Sequence, residues 1–243
     1  MRAEFEKVRS MPTPFWCAFA ALIFFLGGIV GCFIWGIGEE AAALELGVGI
    51  PTSIIAIVFG VWLFGVEYGQ NTLRRTLTAD PRRGHLIIFK LLVLLVVITL
   101  VTVVLHLLAF VFYNLAASGH DGSLSAETVF RYGAASLLNN VVNGIVGMAF
   151  ALITASMAGG MTIALVFIFI LDEIISIIPG VGDYTMGLAL IDISNSLRGF
   201  SGDFFGESIS IGRSWEAASL IVVAWLLGLM LLGALRFTKS DVK

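Results

Sequence analysis

The sequence predicts an all-α integral membrane protein with six transmembrane helices and both termini in the cytoplasm. Of its 243 residues, 58% are hydrophobic and only 13% are charged, whereas soluble domains carry about a quarter charged residues. Several apolar runs reach the roughly 20 residues that a helix needs to cross a bilayer. These runs are continuous and lack the short alternating pattern of barrel strands. We therefore expect a single transmembrane domain over residues 1–243.

Six apolar segments define the predicted spans, and basic residues define their orientation. The spans are expected at about 14–37, 48–66, 86–113, 134–157, 160–178 and 216–236. The termini, residues 67–90, a tight turn near 158–160 and Arg236 together hold eleven basic and five acidic residues, whereas the rest of the chain holds three basic and twelve acidic residues. Because cytoplasmic loops carry the excess of Lys and Arg, the first group is predicted to face the cytoplasm.

The segment after the second span breaks the apolar pattern. Residues 65–90 read GVEYGQNTLRRTLTADPRRGHLIIFK and hold five of the fourteen basic residues. The asparagine or threonine at 71–72 can cap a helix, Leu73 and Leu77 share one helical face, and Pro81 disfavours helical geometry in the residue before it. The spacing predicts a short helix with an apolar ridge and a basic flank. A charged loop that only sets the topology is the alternative.

The pattern E-Y-x-x-N-T-L-R-x-x-L-x-x-x-P-x-R-x-x-x-x-x-x-K resembles the signature that follows the second span in membrane subunits of type-two ABC exporters. The glycine usual before the threonine is Asn71 here, and asparagine also tolerates left-handed backbone geometry. The resemblance extends to the six-span layout and the chain length. It implies a coupling helix at 70–79 that contacts an ATPase, with the following coupling residues: Glu67, Thr72, Leu73, Arg74, Arg75, Leu77, Pro81, Arg83 and Lys90.

The resemblance also implies a function and partners. The chain is expected to be the permease subunit of an ATP-driven ABC transporter in the bacterial cell membrane, exporting an amphipathic substrate such as a lipid, peptide or drug. A separate ABC ATP-binding subunit would hold ATP and magnesium, so no enzymatic activity, cofactor or metal is expected in this chain. A second copy or a related permease would complete the path. An ATP-independent transporter and a membrane assembly scaffold are the alternatives.

Familiar catalytic signatures are absent from the sequence. No lysine follows a glycine, so there is no Walker A loop, and neither HExxH nor GxSxG occurs. These absences favour transport or assembly over an intramembrane enzyme that uses Asp172, Glu173 or His106. Because the membrane topology accounts for the basic loop, no nucleic-acid partner is expected.

Polar residues inside the predicted spans mark a candidate substrate path. Asn139 and Asn143 share one face of span 4, with Ser136 close by in sequence, and amides in lipid must find partners. They either join helices or line a polar path. Asp172 and Glu173, near the outer end of span 5, either lie in solvent or gate substrate release or bind a cation.

Glu67 lies where span 2 is predicted to leave the membrane. Carboxylates within spans are costly and are usually paired or functional. Glu67 is therefore expected to pair with Lys90 or with a basic residue of the N-terminal segment, unless it is a solvated carboxylate at the interface.

Two further helices are predicted on the outer side. A short interfacial helix is possible over 127–131. A short amphipathic helix is expected at about 185–197, on or dipping into the outer membrane surface, because apolar residues recur there at helical spacing: Met186, Leu190, Ile193 and Leu197.

Overall fold

The computed structural model describes residues 48–69, 83–116, 125–199 and 212–239, together with positions 19, 23, 26, 27 and 30. Every regular element in this part of the chain is helical. From residue 50 onward the helices are α1 Ile50–Gly69, α2 Arg83–Ala116, α3 Ala126–Thr154, α4 Met157–Val166, α5 Asp172–Ser176, α6 Met186–Arg198 and α7 Trp215–Lys239. A π-helical stretch, Phe167–Leu171, connects α4 directly to α5, and a 3-10 turn, Gly182–Tyr184, precedes α6.

Within the described residues, five helical segments are long and apolar enough to cross a membrane. They are Ile50–Gly69, Arg83–Leu115, Ala126–Thr154, Met157–Ser176 and Trp215–Lys239, and they correspond to predicted spans 2 to 6. The all-helical, multi-span class is therefore confirmed. The first predicted span, 14–37, lies mostly outside the described residues, so the total of six spans and the side on which each terminus lies stay predictions.

Helices α1 and α3 form the centre of the bundle, and they share the most extensive contact between any two described helices. A Cβ atom built on Gly60 would collide with the backbone of Gly144, and a Cβ on Gly147 would collide with the carbonyl of Ile57. Small residues of this kind allow membrane helices to approach closely. The glycines of the two helices therefore bring their backbones into direct contact.

Helix α3 begins earlier than the sequence predicts. The side-chain oxygen of Ser125 accepts a hydrogen bond from the backbone N–H of Thr128 at 3.0 Å, which satisfies a donor that has no partner within the helix. One turn further on, Arg131 lies 2.7 Å from Glu127. The expectation of a separate interfacial helix over 127–131 is wrong, because these residues form the first turns of α3.

Two residues separate α3 from α4, so no loop is needed. Ala155 adopts the left-handed conformation, with φ of 52°, and its N–H donates to the carbonyl of Ala151 at 3.0 Å. Ser156 then caps α4 by accepting from the N–H of Gly159 at 3.2 Å. The turn lies a few residues before its predicted position.

Helix α6 lies where the sequence predicts a short amphipathic helix, but more than its apolar stripe is buried. Met186, Leu190 and Ile193 are buried as the spacing predicts, and the helix packs against α3 and α7. Asp192 and Ser194 lie off that stripe and are buried as well. Helix α6 therefore brings polar side chains into the bundle, whereas a helix lying on a membrane surface would turn them toward water.

Candidate functional site

A buried ion pair joins α1 to α2 at the ends that flank residues 70–82. The Nζ atom of Lys90 lies 2.9 Å from Oε1 of Glu67, and the two side chains are only 1% and 0% exposed. The ammonium group also donates to the carbonyl of Leu63 and lies 5.0 Å from the ring centroid of Phe64. Of the alternatives for Glu67, pairing with Lys90 is confirmed, and the solvated carboxylate is wrong.

Arg83, at the start of α2, holds the C-terminal end of α7. Its Nη1 donates to the carbonyls of Phe237, at 2.6 Å, and Thr238, at 3.0 Å. These carbonyls belong to the last turn of a helix, where acceptors lack intrahelical partners and a cation is favoured. The ring of Phe237 packs edge-on against Phe64, with 5.7 Å between the centroids. Three helices are thus joined beside the ion pair.

The structure therefore places three of the nine predicted coupling residues, namely Glu67, Arg83 and Lys90, at one end of α1, α2 and α7. The other six lie outside the described residues: Thr72, Leu73, Arg74, Arg75, Leu77 and Pro81. The predicted coupling helix at 70–79 stays a prediction, although both ends of its segment are fixed to the bundle.

At the other end of α1, a buried amide ties three helices together. The Nδ2 of Asn140, on α3, donates to Oγ1 of Thr52 at 3.0 Å and to Oγ1 of Thr102 at 2.9 Å. Its Oδ1 accepts from Oγ of Ser53 at 3.0 Å. Interhelical hydrogen bonds of this kind hold membrane helices together, so Asn140 joins α1, α2 and α3.

A neighbouring face of α3 borders a cavity of about 220 Å³, which lies between the beginning of α1, the π-helical stretch and α6. Its polar lining consists of hydroxyl groups, amides and one guanidinium group, from Ser53, Ser136, Asn139, Asn143, Ser194, Asn195 and Arg198. The remaining lining residues are Gly49, Ile50, Ile168, Phe169 and Ile191. None of the described residues that line this cavity carries a carboxylate.

Ser136, Asn139 and Asn143 thus border one cavity. The Nδ2 of Asn139 donates to Oγ of Ser194 at 2.8 Å and to the carbonyl of Ala135 at 3.0 Å, so this residue joins α3 to α6 as well as lining the cavity. Asn143 is only 7% exposed, and its amide has no hydrogen-bond partner among the described residues. Its use by a substrate stays a prediction.

Asp172 does not belong to this cavity. It lies at the start of α5 and caps the N-terminus of α6. The hydroxyl of Thr185, directly before α6, donates to the carbonyl of Gly182 at 2.9 Å and does not cap the helix. The carboxylate of Asp172 does so, since it accepts from the backbone N–H of Met186 at 3.1 Å and of Gly187 at 2.8 Å. Asp172 does not line the cavity, and its contacts explain its burial without a bound cation.

Replacement of Asp172 by alanine is expected to lower the free energy of unfolding by about 1–2 kcal/mol, because two N–H groups at the start of α6 lose their acceptor. Asp172→Asn keeps one acceptor and should lose less. The neighbouring Glu173 is exposed and does not line the cavity, so Glu173→Ala serves as the control. Thermal unfolding in detergent micelles measures all three, and equal stability of Asp172→Ala and Glu173→Ala would contradict the capping role.

Sequence reasoning missed the contributions of α1 and α6 to the cavity. Ser53 lies within an apolar span, and its spacing does not distinguish it from a residue that faces lipid. Ser194 and Asn195 lie off the apolar stripe of α6, and Arg198 ends that helix. The polar face of α6 was a visible signal, but its contact with α3 is long-range and no pattern within one segment encodes it.

Comparisons with protein-family models, with curated proteins and with solved structures find no match for this chain. Among the described residues, no group of three or more His, Cys, Asp or Glu side chains is placed to hold a metal ion.

Proposed function

We propose that this chain is the membrane-spanning subunit of an ATP-driven exporter, and that a separate ATP-binding subunit contacts its segment 70–82. The motif from Glu67 to Lys90 supports the class. One observation carries the proposal: the motif residues at both ends of this segment are anchored in the bundle. Glu67 and Lys90 form a buried pair, and Arg83 binds the end of α7.

Anchored ends are what a coupling segment requires. A displacement of the segment by a partner subunit reaches the helix bundle only if the attachments of the segment to the bundle are rigid. Separating Glu67 from Lys90 would pull opposite charges apart in a water-poor interior, which is costly. A displacement of the segment would therefore move the adjoining ends of α1, α2 and α7 together. The Leu73 and Leu77 ridge would seat in a groove of the partner, with the neighbouring arginines paired to its acids.

The cavity lies toward the opposite end of α1. Ser53 lines the cavity and Glu67 holds the ion pair, and along a helix the two are separated by about 21 Å. An ATP-driven change at one end of α1 would thus be coupled through a single rigid element to a polar site at its other end. This arrangement is suited to alternating access, in which ATP is used at one membrane face and cargo is handled nearer the other.

Purification of the tagged full-length chain from the membranes of its native host is expected to yield an ATP-hydrolysing complex. Leu77→Asp should lower the ATPase activity that co-purifies by roughly tenfold, because a charge replaces an apolar contact at the interface. Charge reversal of Arg74 and Arg75 together should act similarly. The measurements are magnesium-dependent ATP hydrolysis and the amount of ATP-binding subunit recovered.

The matched control is Leu124→Asp, which places the same substitution in a predicted connection on the opposite face. It should leave the co-purified activity unchanged. A wild-type preparation that hydrolyses no ATP would overturn the exporter and favour a transporter without an ATPase. Equal losses for Leu77→Asp and Leu124→Asp would overturn the assignment of the docking segment.

A further inference from the structure

The cavity beside α3 is lined largely by side chains that form hydrogen bonds. Seven of its twelve lining residues carry a hydroxyl, an amide or a guanidinium group. Asn139 donates to Oγ of Ser194 at 2.8 Å and to the carbonyl of Ala135 at 3.0 Å, and its side-chain carbonyl oxygen can accept further hydrogen bonds. Because polar groups inside a membrane need partners, this lining favours contents that form hydrogen bonds.

The volume of the cavity suits several water molecules. It measures about 220 Å³, and at about 30 Å³ for each molecule of liquid water there is room for roughly seven. Cavities that stay dry are lined by apolar groups, whereas polar cavities of sufficient size hold water that bonds to their walls. The size and the lining of this cavity therefore both favour water.

Charged and aromatic side chains place one side of the cavity near the membrane surface. Glu127 and Arg131, in the first turns of α3, are 72% and 44% exposed, as expected of charged groups that lie in water. The ring of Tyr132 lies 5.0 Å from the guanidinium group of Arg198, which lines the cavity. Ser136 lines it as well, about one turn beyond Tyr132. The cavity thus begins close to a water-exposed ion pair.

Apolar side chains separate the cavity from lipid. Ile50 and Phe169 line it and are 46% and 50% exposed, and both belong to segments that are apolar enough to cross a membrane. Their exposed surfaces therefore face lipid, while their other surfaces close this side of the cavity. A hydrophilic molecule reaches the polar wall more readily from the membrane surface than through this apolar side.

We propose that this cavity is a water-filled vestibule, that it opens at the membrane face remote from residues 70–82, and that small hydrophilic solutes reach Asn143 through it. Asn143 lines the cavity about two turns beyond Ser136 along α3. As part of the path of an exporter the vestibule rests on the proposed function, whereas its access to water does not depend on an ATPase.

Thiol labelling of the full-length chain in membranes measures this access. Cys17 and Cys32 are replaced by serine, and single cysteines are introduced by Ser136→Cys, Asn195→Cys and Asn143→Cys. Two methanethiosulfonates that do not enter lipid are used, one with a trimethylammonium group and one with a sulfonate group, so that the local charge does not decide the result. They react with thiolates, which form in water and are disfavoured in an apolar interior.

Neighbouring positions supply matched controls. Ala135 and Val142 are 0% and 2% exposed, and neither lines the cavity. Each directly precedes a cavity residue, Ser136 or Asn143. Val104 is 44% exposed on α2 and faces lipid. The three cavity thiols should react roughly tenfold or more faster than those of Ala135→Cys, Val142→Cys and Val104→Cys, because only the cavity thiols meet water.

The direction of opening is tested with intact cells and with inverted membrane vesicles. Thr78→Cys, in the segment 70–82, marks the opposite face of the membrane. The cavity thiols should react in the preparation in which Thr78→Cys does not, and the converse should hold in the other preparation. Reaction of the cavity thiols and of Thr78→Cys in the same preparation would overturn the proposed opening.

Labelling after denaturation in dodecyl sulfate measures the total thiol of each variant. Cavity thiols that react only after denaturation would overturn the vestibule, and so would rates equal to those of the three controls. Size-exclusion chromatography shows which variants are folded. If Asn143→Cys does not fold, the smaller change Ser136→Cys, together with Asn195→Cys, still decides whether water enters the cavity.

Vanadate with magnesium and ATP separates the vestibule from the exporter. It traps an ATP-driven transporter in one conformation, so in an exporter it should change the labelling rate of Asn143→Cys by roughly threefold or more. Rapid labelling that vanadate leaves unchanged would count against the exporter and keep the vestibule. Vanadate-sensitive ATP hydrolysis with unreactive cavity thiols would keep the exporter and overturn the vestibule.

Discussion

Replacement of Lys90 by methionine is expected to destabilise the fold by about 3–5 kcal/mol, because it removes the cation that lies 2.9 Å from the buried Glu67 carboxylate. Methionine keeps much of the volume of the lysine stem, so the loss reports on charge more than on packing. Glu67→Gln should cost less, since the ammonium group of Lys90 keeps the carbonyl of Leu63 as an acceptor. Thermal unfolding of the purified protein in detergent measures both variants.

The double variant Glu67→Gln with Lys90→Met separates the pair from its surroundings. It should recover a large part of the stability lost in Lys90→Met, because both charges of the pair are removed together. Glu127→Gln is the control, since it removes a carboxylate from an exposed pair with Arg131 and should change stability by less than about 1 kcal/mol. If the loss of stability in the double variant equals the sum of the losses in the two single variants, the two residues are not a coupled pair.

The second large effect is expected at the contact between α1 and α3. Gly60→Ala places a methyl group against the backbone of Gly144, which cannot move away as a flexible side chain would. The helices must separate, and overpacking of this kind costs about 1–3 kcal/mol. Gly60→Leu should cost more and prevent recovery of folded protein. Thermal unfolding and size-exclusion chromatography of the detergent-solubilised protein provide the measurements.

Gly228→Ala is the matched control for that contact. Gly228 lies within α7, and a Cβ atom built there meets no described atom within 4 Å. Both substitutions gain the same helix propensity, about 0.5–1 kcal/mol in favour of alanine, so their difference isolates the contact. Equal stability of Gly60→Ala and Gly228→Ala would show that α1 and α3 do not pack through their glycines.

The sequence was most informative where the property in question is local. A run of about 20 apolar residues has few alternatives to a spanning helix, and the five described spans follow from it. The helical period likewise placed Asn139 and Asn143 on one face. The start of α3 was harder to predict from the sequence. Its first turns are polar and carry no apolar pattern, and they depend on the Ser125 cap and the Glu127–Arg131 pair.

Roles that depend on contacts between distant segments could not be predicted. Asp172 reads as an unusual carboxylate near the end of a span, and only its proximity to the N–H groups of Met186 and Gly187 identifies it as a cap. The pairing of Asn139 with Ser194 is of the same kind. Hydrophobic burial brings these segments together, and burial specifies which faces meet without specifying which polar atoms will align.

Helix α3 is longer than the segment Met157–Ser176 that follows it, and this difference bears on the depth of the cavity in the bilayer. Helix α3 has 29 residues and is about 43 Å long, whereas the 20 residues of Met157–Ser176 extend about 30 Å, close to the hydrocarbon thickness. Because the two segments start from a common turn, the far end of α3 projects by about 13 Å, less whatever tilt absorbs. Arg131 lies about 36 Å from that turn and Asn143 about 18 Å. The α3 residues that line the cavity run from Ser136 to Asn143, and Ser136 lies about 28 Å from that turn. The α3 wall of the cavity therefore covers about 10 Å along the helix, in the half of α3 that is remote from the turn.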